Sequence, residues 1–258
     1  MTRAVAKATV TPASSARPAD RHKGGYRRIV LKLSGEALAG GAHGYGLSAQ
    51  VLKRVAGEIA RVHRSGTDIA LVVGGGNIFR GASGGDIDRV AGDYMGMRAT
   101  VINSVALVDA IEKEGVATRL MSAIEVSKVA EPYIRRRAMR HLEKKRVLLL
   151  AAGTGNPYFS TDTAAALRAT EIGAQVVLKA TKVDGVYDRD PMKHRGARKF
   201  PRLTFAEALR RNLRVMDLTA FTMCQENRIP VVVFNINVPG NIVRAAAGET
   251  IGTLVTGG

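Results

Sequence analysis

From Tyr26 to Val255 the chain alternates short, nearly uninterrupted apolar runs with longer stretches in which apolar residues recur at helical spacing. Short runs of mostly apolar residues read as buried strands. They fall at Arg28 to Leu33, Asp68 to Val73, Val116 to Met121, Val147 to Ala152, Gln175 to Lys179, Pro230 to Phe234 and Thr253 to Val255. Between them the period is helical. Ser48 is placed to cap a helix carrying Val51, Leu52, Val55 and Ile59. Further helices are predicted through Met95, Ala99, Ile102 and Ala106, after Pro132, over Ala164 to Ile172, near Phe205 to Arg210 and Asp217 to Asn227, and from Pro239. A strand–helix rhythm of this kind predicts an α/β fold with a mostly parallel sheet and helices on both faces.

Residues 1–25 break the rhythm. They are rich in Ala, Ser, Thr and Pro and carry Arg3, Lys7, Arg17, Arg21 and Lys23 against the single acid Asp20, which predicts a disordered basic tail. The remaining residues, 26–258, are long enough and apolar enough for a full core. One cysteine, Cys224, excludes an internal disulfide and fits a reducing compartment. No apolar run is long enough for a membrane helix, and no apolar segment follows Arg3 as a secretory signal requires, so a cytoplasmic protein without a membrane partner is expected. The net charge of +17 favours anionic partners. With no Trp and 5% aromatic residues, stacking platforms for single-stranded nucleic acid are scarce, and a nucleic-acid partner is disfavoured. The basic runs Arg135-Arg136-Arg137, Lys144-Lys145-Arg146 and Arg210-Arg211, and the five scattered histidines, are expected to be solvated.

Three predicted strands end in glycine-bearing loops: Lys32-Leu33-Ser34-Gly35, Gly74-Gly75-Gly76-Asn77, and Gly153 followed by Thr154-Gly155-Asn156-Pro157-Tyr158-Phe159-Ser160-Thr161-Asp162. In a parallel sheet their C-terminal ends share one edge, where ligands bind. Glycine backbone and helix N-termini make anion nests there, and Lys32 and Arg80 add cations. The third loop offers hydroxyls, backbone N–H groups and ring edges together, which suits a phosphorylated planar ligand. The sequence has no Gly-x-x-x-x-Gly-Lys-Ser/Thr loop, no Gly-x-Gly-x-x-Gly fingerprint and no His/Cys cluster with metal spacing.

These segments occur in an order that resembles the bacterial uridylate (UMP) kinases of the amino-acid-kinase superfamily. The shared motifs are Lys32 to Glu36, Gly74 to Gly81, Gly92-Asp93-Tyr94-Met95-Gly96-Met97, Thr154 to Asp162, Lys179 to Tyr187, Val215-Met216-Asp217 and Val233-Phe234-Asn235. The resemblance implies a three-layer α/β/α sandwich with about eight strands. Residues 26–174 would hold UMP and residues 175–258 ATP. It implies ATP and UMP as substrates, Mg²⁺ held mainly by ATP phosphates and water, a homohexamer, activation by GTP and inhibition by UTP. By matching positions, Lys32, Leu33, Ser34, Gly35, Gly76 and Arg80 would line the ATP phosphates, and Thr181, Tyr187 and Asp190 the adenosine side. Gly75 would contact the UMP phosphate and Asp93 its ribose. Thr154, Gly155, Asn156, Pro157, Tyr158, Phe159, Ser160 and Thr161 would wrap uracil and the acceptor phosphate. Gly41, Ala42, His43, Gly44, Tyr45 and Gly46 match the family's GTP-linked segment.

On that reading Lys32 and Arg80 neutralise the transferring phosphoryl group, and Asp162 and Asp217 orient cations or metal-bound water without transferring protons. Plain structural roles are open to the same residues. Lys32 could snorkel, Arg80 could form a surface ion pair, Asp93, Asp162 and Asp217 could serve helix N-termini, and Tyr187 could belong to the core. Gln175 stands where the family often has an acid, and Arg98 where a Leu is usual, which bears on subunit contacts. Two other functions stay open: a superfamily enzyme phosphorylating a carboxylate, and a nucleotide-sensing, nucleic-acid-associated regulator on the same fold.

Overall fold

The computed structural model describes residues 25–40, 45–80, 87–191, 193–213 and 215–257. The expected tail through residue 24, and Gly41 to Gly44 of the expected effector segment, lie outside them. Along the chain run β1 (Arg28–Leu33), a 3-10 turn (Gly35–Ala37), α1 (Ala49–Arg64), β2 (Asp68–Val73), α2 (Arg89–Lys113), β3 (Thr118–Ser122), β4 (Glu131–Pro132), α3 (Arg135–Glu143), β5 (Val147–Ala151) and α4 (Thr161–Ile172). There follow β6 (Val176–Thr181), β7 (Val186–Tyr187), β8 (Lys199–Phe200), β9 (Arg202–Thr204), α5 (Phe205–Arg210), α6 (Leu218–Glu226), β10 (Val231–Asn235), α7 (Asn241–Ala246) and β11 (Thr253–Thr256).

Among the described residues nine strands form the main sheet, in the order β4-β3-β5-β2-β1-β6-β10-β11-β9, with only the β10–β11 pair antiparallel. β7 and β8 make a separate antiparallel pair. The hydrophobic pattern marks seven of these strands and the resemblance implies about eight; β4 and β9 are too short to read as apolar runs, and pairing at the sheet edges defines them. The central strands β1, β2 and β5 are buried along almost their whole length, which is why their sequences run apolar without alternation. The sheet runs unbroken across the expected division at 174/175, since β1 pairs with both β2 and β6.

Two cores result. One packs α1, α2 and α7 on one face of the sheet; the other packs α3, α4, α5 and α6 on the opposite face. Alanines 164, 165, 166 and 169 are wholly buried on α4 and bring that helix close to the sheet. Ser48 caps α1 as expected, accepting from Val51 N–H. Glu58, 1% exposed, accepts from the N–H groups of Gly240 and Ile242 and so holds the start of α7 against α1. Gln175 ties down the start of β1 by accepting from Arg27 N–H at 2.6 Å.

Several local expectations shift. The helix predicted through Met95 begins earlier, at Arg89, because Asp88 caps α2 by accepting from Val90 and Ala91 N–H. Of the histidines expected to be solvated, His141 is only 12% exposed in its side chain, with Nε2 3.0 Å from Glu131 and Nδ1 3.0 Å from Arg146. The basic runs are partly engaged as well: Arg135 donates to the Glu171 carbonyl and Lys145 pairs with Asp68.

Candidate active site

The parallel pairing brings the C-terminal ends of β1, β2, β5 and β6 to one edge, and the glycine loops meet there as expected. Gly74 N–H donates to the Leu33 carbonyl at 2.9 Å. A Cβ on Gly35 would come within 2.3 Å of Asn77 Oδ1 and 2.6 Å of the Gly74 carbonyl, so only glycine allows the first two loops to touch. A Cβ on Gly75 would lie 2.8 Å from the Gly96 carbonyl of α2, and one on Gly74 would lie 3.6 Å from Thr161 Oγ1.

Register then does what the sequence pattern does not reveal. Lys32 of β1 is the direct partner of Lys179 of β6, so the two side chains leave adjacent strands on the same face. Both are largely buried. Asp162, in the first turn of α4, bridges them: Oδ2 accepts from Lys179 Nζ at 2.6 Å, and Oδ1 forms an ion-pair contact with Lys32 Nζ at 2.8 Å that is poorly aligned as a hydrogen bond. Lys179 also donates to the Val215 carbonyl at 2.7 Å. Burial works against charge on Asp162, but the two ammonium groups outweigh it and hold the carboxyl below the ordinary Asp value. Burial lowers Lys179 below the ordinary Lys value, with Asp162 opposing. The result is a partly dry site with two cations, one anion and a helix N-terminus, an arrangement suited to a multiply charged phosphate group.

The helix-cap alternative for Asp162 does not hold. Ser160 caps α4, accepting from the N–H groups of Asp162 and Thr163 at 2.9 and 3.1 Å. The cap alternative for Asp217 does hold: it accepts from Ala220 N–H at 3.0 Å at the start of α6. Its carboxylate also takes the Ser160 hydroxyl and, at 2.9 Å, that of Thr163. Asp217 therefore joins α6 to the start of α4.

Arg80 is more than half exposed. It pairs with Glu36 at 2.6 Å and donates to the Gly76 carbonyl at 3.0 Å, folded back along its own loop. Asp93 lies one turn inside α2, whose cap is Asp88. Its Oδ2 accepts from the Tyr158 N–H at 2.8 Å and Arg89 Nε at 3.0 Å, which ties the Thr154–Thr161 loop to α2. Tyr158 and Phe159 are exposed, as ring surfaces open to a ligand must be. Thr181 closes the turn to Val183, accepting its N–H at 3.1 Å. Half-buried Tyr187 donates to Asp184 at 2.5 Å. Asp190 is exposed, and its carbonyl accepts from Lys193 and His194. A cleft of about 340 Å³ opens beside the ends of β6 and β10, between Asp184, Lys199, Asn235 and Arg244. Of the expected effector segment, exposed Tyr45 and half-buried Gly46 are described. Gly46 N–H donates to the Asn77 carbonyl at 2.8 Å, and its carbonyl accepts from Asn77 Nδ2 at 2.7 Å.

Three features escape sequence reasoning. Lys179 lies inside a recognised motif, yet nothing but register marks it as the neighbour of Lys32. Asn77 and Asn103, both wholly buried, exchange amide hydrogen bonds at 3.0 and 2.7 Å, and Asn103 also donates to the Gly74 carbonyl. Asn103, inside a mostly apolar stretch of α2, and Asn77, in the glycine turn after β2, are the polar residues that could have marked the pair. Thr100, on the same helix, accepts from Ala152 N–H at 2.7 Å.

A sheet of this topology, with glycine loops and paired lysines at one edge, defines a phosphate-handling α/β protein. The chain belongs to the amino acid kinase family, whose profile matches residues 27–235, and is thereby a phosphotransferase of the kinase type. The solved UMP kinase of Bacillus anthracis is 36% identical and superposes with a TM-score of 0.86, over 90% of this chain and 96% of that one. The UMP kinase of Ureaplasma parvum is 38% identical with a TM-score of 0.85, over 90% and 99%. Uridylate kinase from Archaeoglobus fulgidus is 30% identical with a TM-score of 0.69, over 88% and 99%.

Proposed function

We propose that this protein is a UMP kinase, transferring the γ-phosphoryl group of ATP to UMP to give UDP and ADP in pyrimidine nucleotide biosynthesis. The observation that carries this reading is the Lys32–Asp162–Lys179 cluster, set where the glycine loops meet the Thr154–Thr161 loop. A phosphate monoester acceptor has its second pKa near ~6 and is already largely dianionic at neutral pH, so transfer needs no general base. The task is to bring two polyanions into line and neutralise the charge that spreads over the moving phosphoryl group. Lys32 and Lys179 supply fixed positive charge from the sheet, and Arg80 can swing from Glu36 onto phosphate. Asp162 sets the spacing of the lysines and takes no proton. Asp217 holds Ser160 and Thr163, and through them the start of α4. Leu33, Ser34, Gly35 and Gly76 present backbone to ATP, Thr181, Tyr187 and Asp190 flank its adenosine, and Gly75 and Asp93 face UMP.

Mg²⁺ fits as an ion carried in by the nucleotide. Among the described residues no group of three His, Cys, Asp or Glu side chains forms a metal cage, and Asp162 is occupied by its lysines. When bound, Mg²⁺ would neutralise ATP phosphate oxygens.

An ADP-release assay with UMP, CMP, dUMP and AMP tests the assignment. UMP-dependent ADP formation that exceeds the other three is expected; none with UMP refutes it. A homohexamer, GTP activation linked to residues 41–46, and UTP inhibition accompany this reading, and sedimentation with effector titration checks them.

A further inference from the structure

The Thr154–Thr161 loop leaves the sheet through a turn that L-residues rarely adopt. Ala152, its side chain wholly buried, has φ +64°, and Gly153 follows at φ +60°. An alanine in this left-handed region is strained and stays there only when its surroundings hold it. Two buried side chains do so, from opposite faces of the sheet.

From α2, Thr100 Oγ1 accepts from the Ala152 N–H at 2.7 Å while donating to the Met97 carbonyl at 2.7 Å. Both capacities of the hydroxyl are used, so among common side chains only serine could replace it. From α4, Arg168 reaches the Gly153 carbonyl with Nη2 at a long 3.4 Å. Its other arm meets Glu171 at 2.7 Å, and its guanidinium stacks 3.8 Å from the Tyr133 ring centre. The Tyr133 hydroxyl donates to the same Glu171 oxygen at 2.6 Å, which fixes that arginine in place. Neither Thr100 nor Arg168 bonds to Lys32, Asp162 or Lys179. Beyond the turn, which the Gly155 N–H closes on the Ala152 carbonyl at 2.9 Å, the ties are the local Thr154–Asn156 contacts, the Tyr158 N–H to Asp93 with Arg89 over the Tyr158 ring, and Ser160, which caps α4 and donates to Asp217. At the sheet end, the direction in which the loop departs is set at residues 152 and 153.

We propose that Thr100 and Arg168 are positioning residues that set affinity for the acceptor nucleotide by clamping this strained turn. The inference rests on the reading of Thr154–Thr161 as the acceptor loop. A residue that merely fills the core would lower stability and leave the two substrates equally affected; a clamp on this loop affects the acceptor selectively.

The test compares Thr100→Val, Thr100→Ser and Arg168→Gln with wild type, by steady-state kinetics and by amide hydrogen exchange across residues 152–158. Loss of one such hydrogen bond corresponds to about a tenfold change in affinity, so Thr100→Val is expected to raise KM for UMP about tenfold. KM for ATP should stay within about twofold, because the ATP side is untouched. Thr100→Ser should restore the wild-type value. Thr100→Val and Arg168→Gln should both speed exchange at 152–158. Adding Ala152→Gly to Thr100→Val should recover part of the KM, since glycine adopts this turn without strain. An unchanged KM for UMP, or equal rises for both substrates, overturns the proposal. If Thr100→Val fails to fold, Arg168→Gln carries the same comparison. If wild type shows no UMP-dependent ADP release, the acceptor reading fails by itself, and wild-type exchange in the variants would separately remove the clamp.

Discussion

Replacing Asp162 with Asn should destabilise the fold by much more than a surface charge change does. The carboxylate lies 2.8 and 2.6 Å from two ammonium groups, and all three side chains are 11–13% exposed. At an effective dielectric constant of about 20, each contact is worth roughly 6 kcal/mol of gross attraction. The cost of burying the three charges offsets most of that. Removing only the anion keeps the burial cost and leaves Lys32 and Lys179 side by side on adjacent strands. Breaking a buried pair in this way typically costs about 3–5 kcal/mol. In a domain of this size that corresponds to a fall in melting temperature of roughly 10 °C. Urea denaturation followed by circular dichroism measures it, as a lower midpoint at unchanged slope. Asp162→Asn combined with Lys179→Met should be more stable than Asp162→Asn alone, because it removes the unbalanced cation. A loss below about 1 kcal/mol, or no recovery in the double variant, would show that the cluster is open to water and that the lysines are held by something else.

Other outcomes follow from the same contacts. Arg80→Ala should lower kcat about a hundredfold while leaving the melting curve almost unchanged, because Arg80 is exposed and its pair with Glu36 is screened; wild-type turnover in the folded variant would remove its role. Ser160→Ala should cost about 1–2 kcal/mol by uncapping α4 and releasing Asp217, read from urea midpoints; an unchanged midpoint would contradict the cap. Asp162 and Asp93 both have carboxyls held below the ordinary value of 3.8: burial resists charge on each, but the lysines around Asp162, and the Tyr158 N–H and Arg89 around Asp93, prevail. Their contribution is therefore complete above pH 3.8 and is lost as pH falls through the lower folded values. Urea midpoints measured against pH should show that loss, and Asp162→Asn should shrink it; an acid limb unchanged in the variant would exclude Asp162 as its source. Burial, with Asp162 and Asp217 adding to it, pushes the Cys224 thiol up to about 12, so iodoacetamide at pH 8 should modify it only after unfolding; rapid labelling of native protein would contradict its burial.

Much of this protein is determined by local sequence. The apolar runs of β1, β2 and β5 are continuous because those strands are covered on both faces, and that alone predicts a parallel sheet. Ser48 is placed to cap α1 by side-chain chemistry that acts within one turn, and the glycines at 35, 74 and 75 mark close backbone approach before any partner is known. The ordered motifs likewise mark the loops to which the proposed function assigns the phosphates. What tertiary structure alone decided is which distant residues become neighbours. The register of β1 against β6 sets Lys32 beside Lys179, and the packing of α4 on that face brings Asp162 between them. The same packing gives the cap to Ser160 and leaves Asp217 to bind α6 to α4. The buried amides of Asn77 and Asn103, and the grip of Thr100 on Ala152, depend on where α2 crosses the sheet edge. Periodicity reports which face of an element is apolar; it carries no information on which residue of another element will lie opposite, because register is settled by the summed packing of the whole sheet.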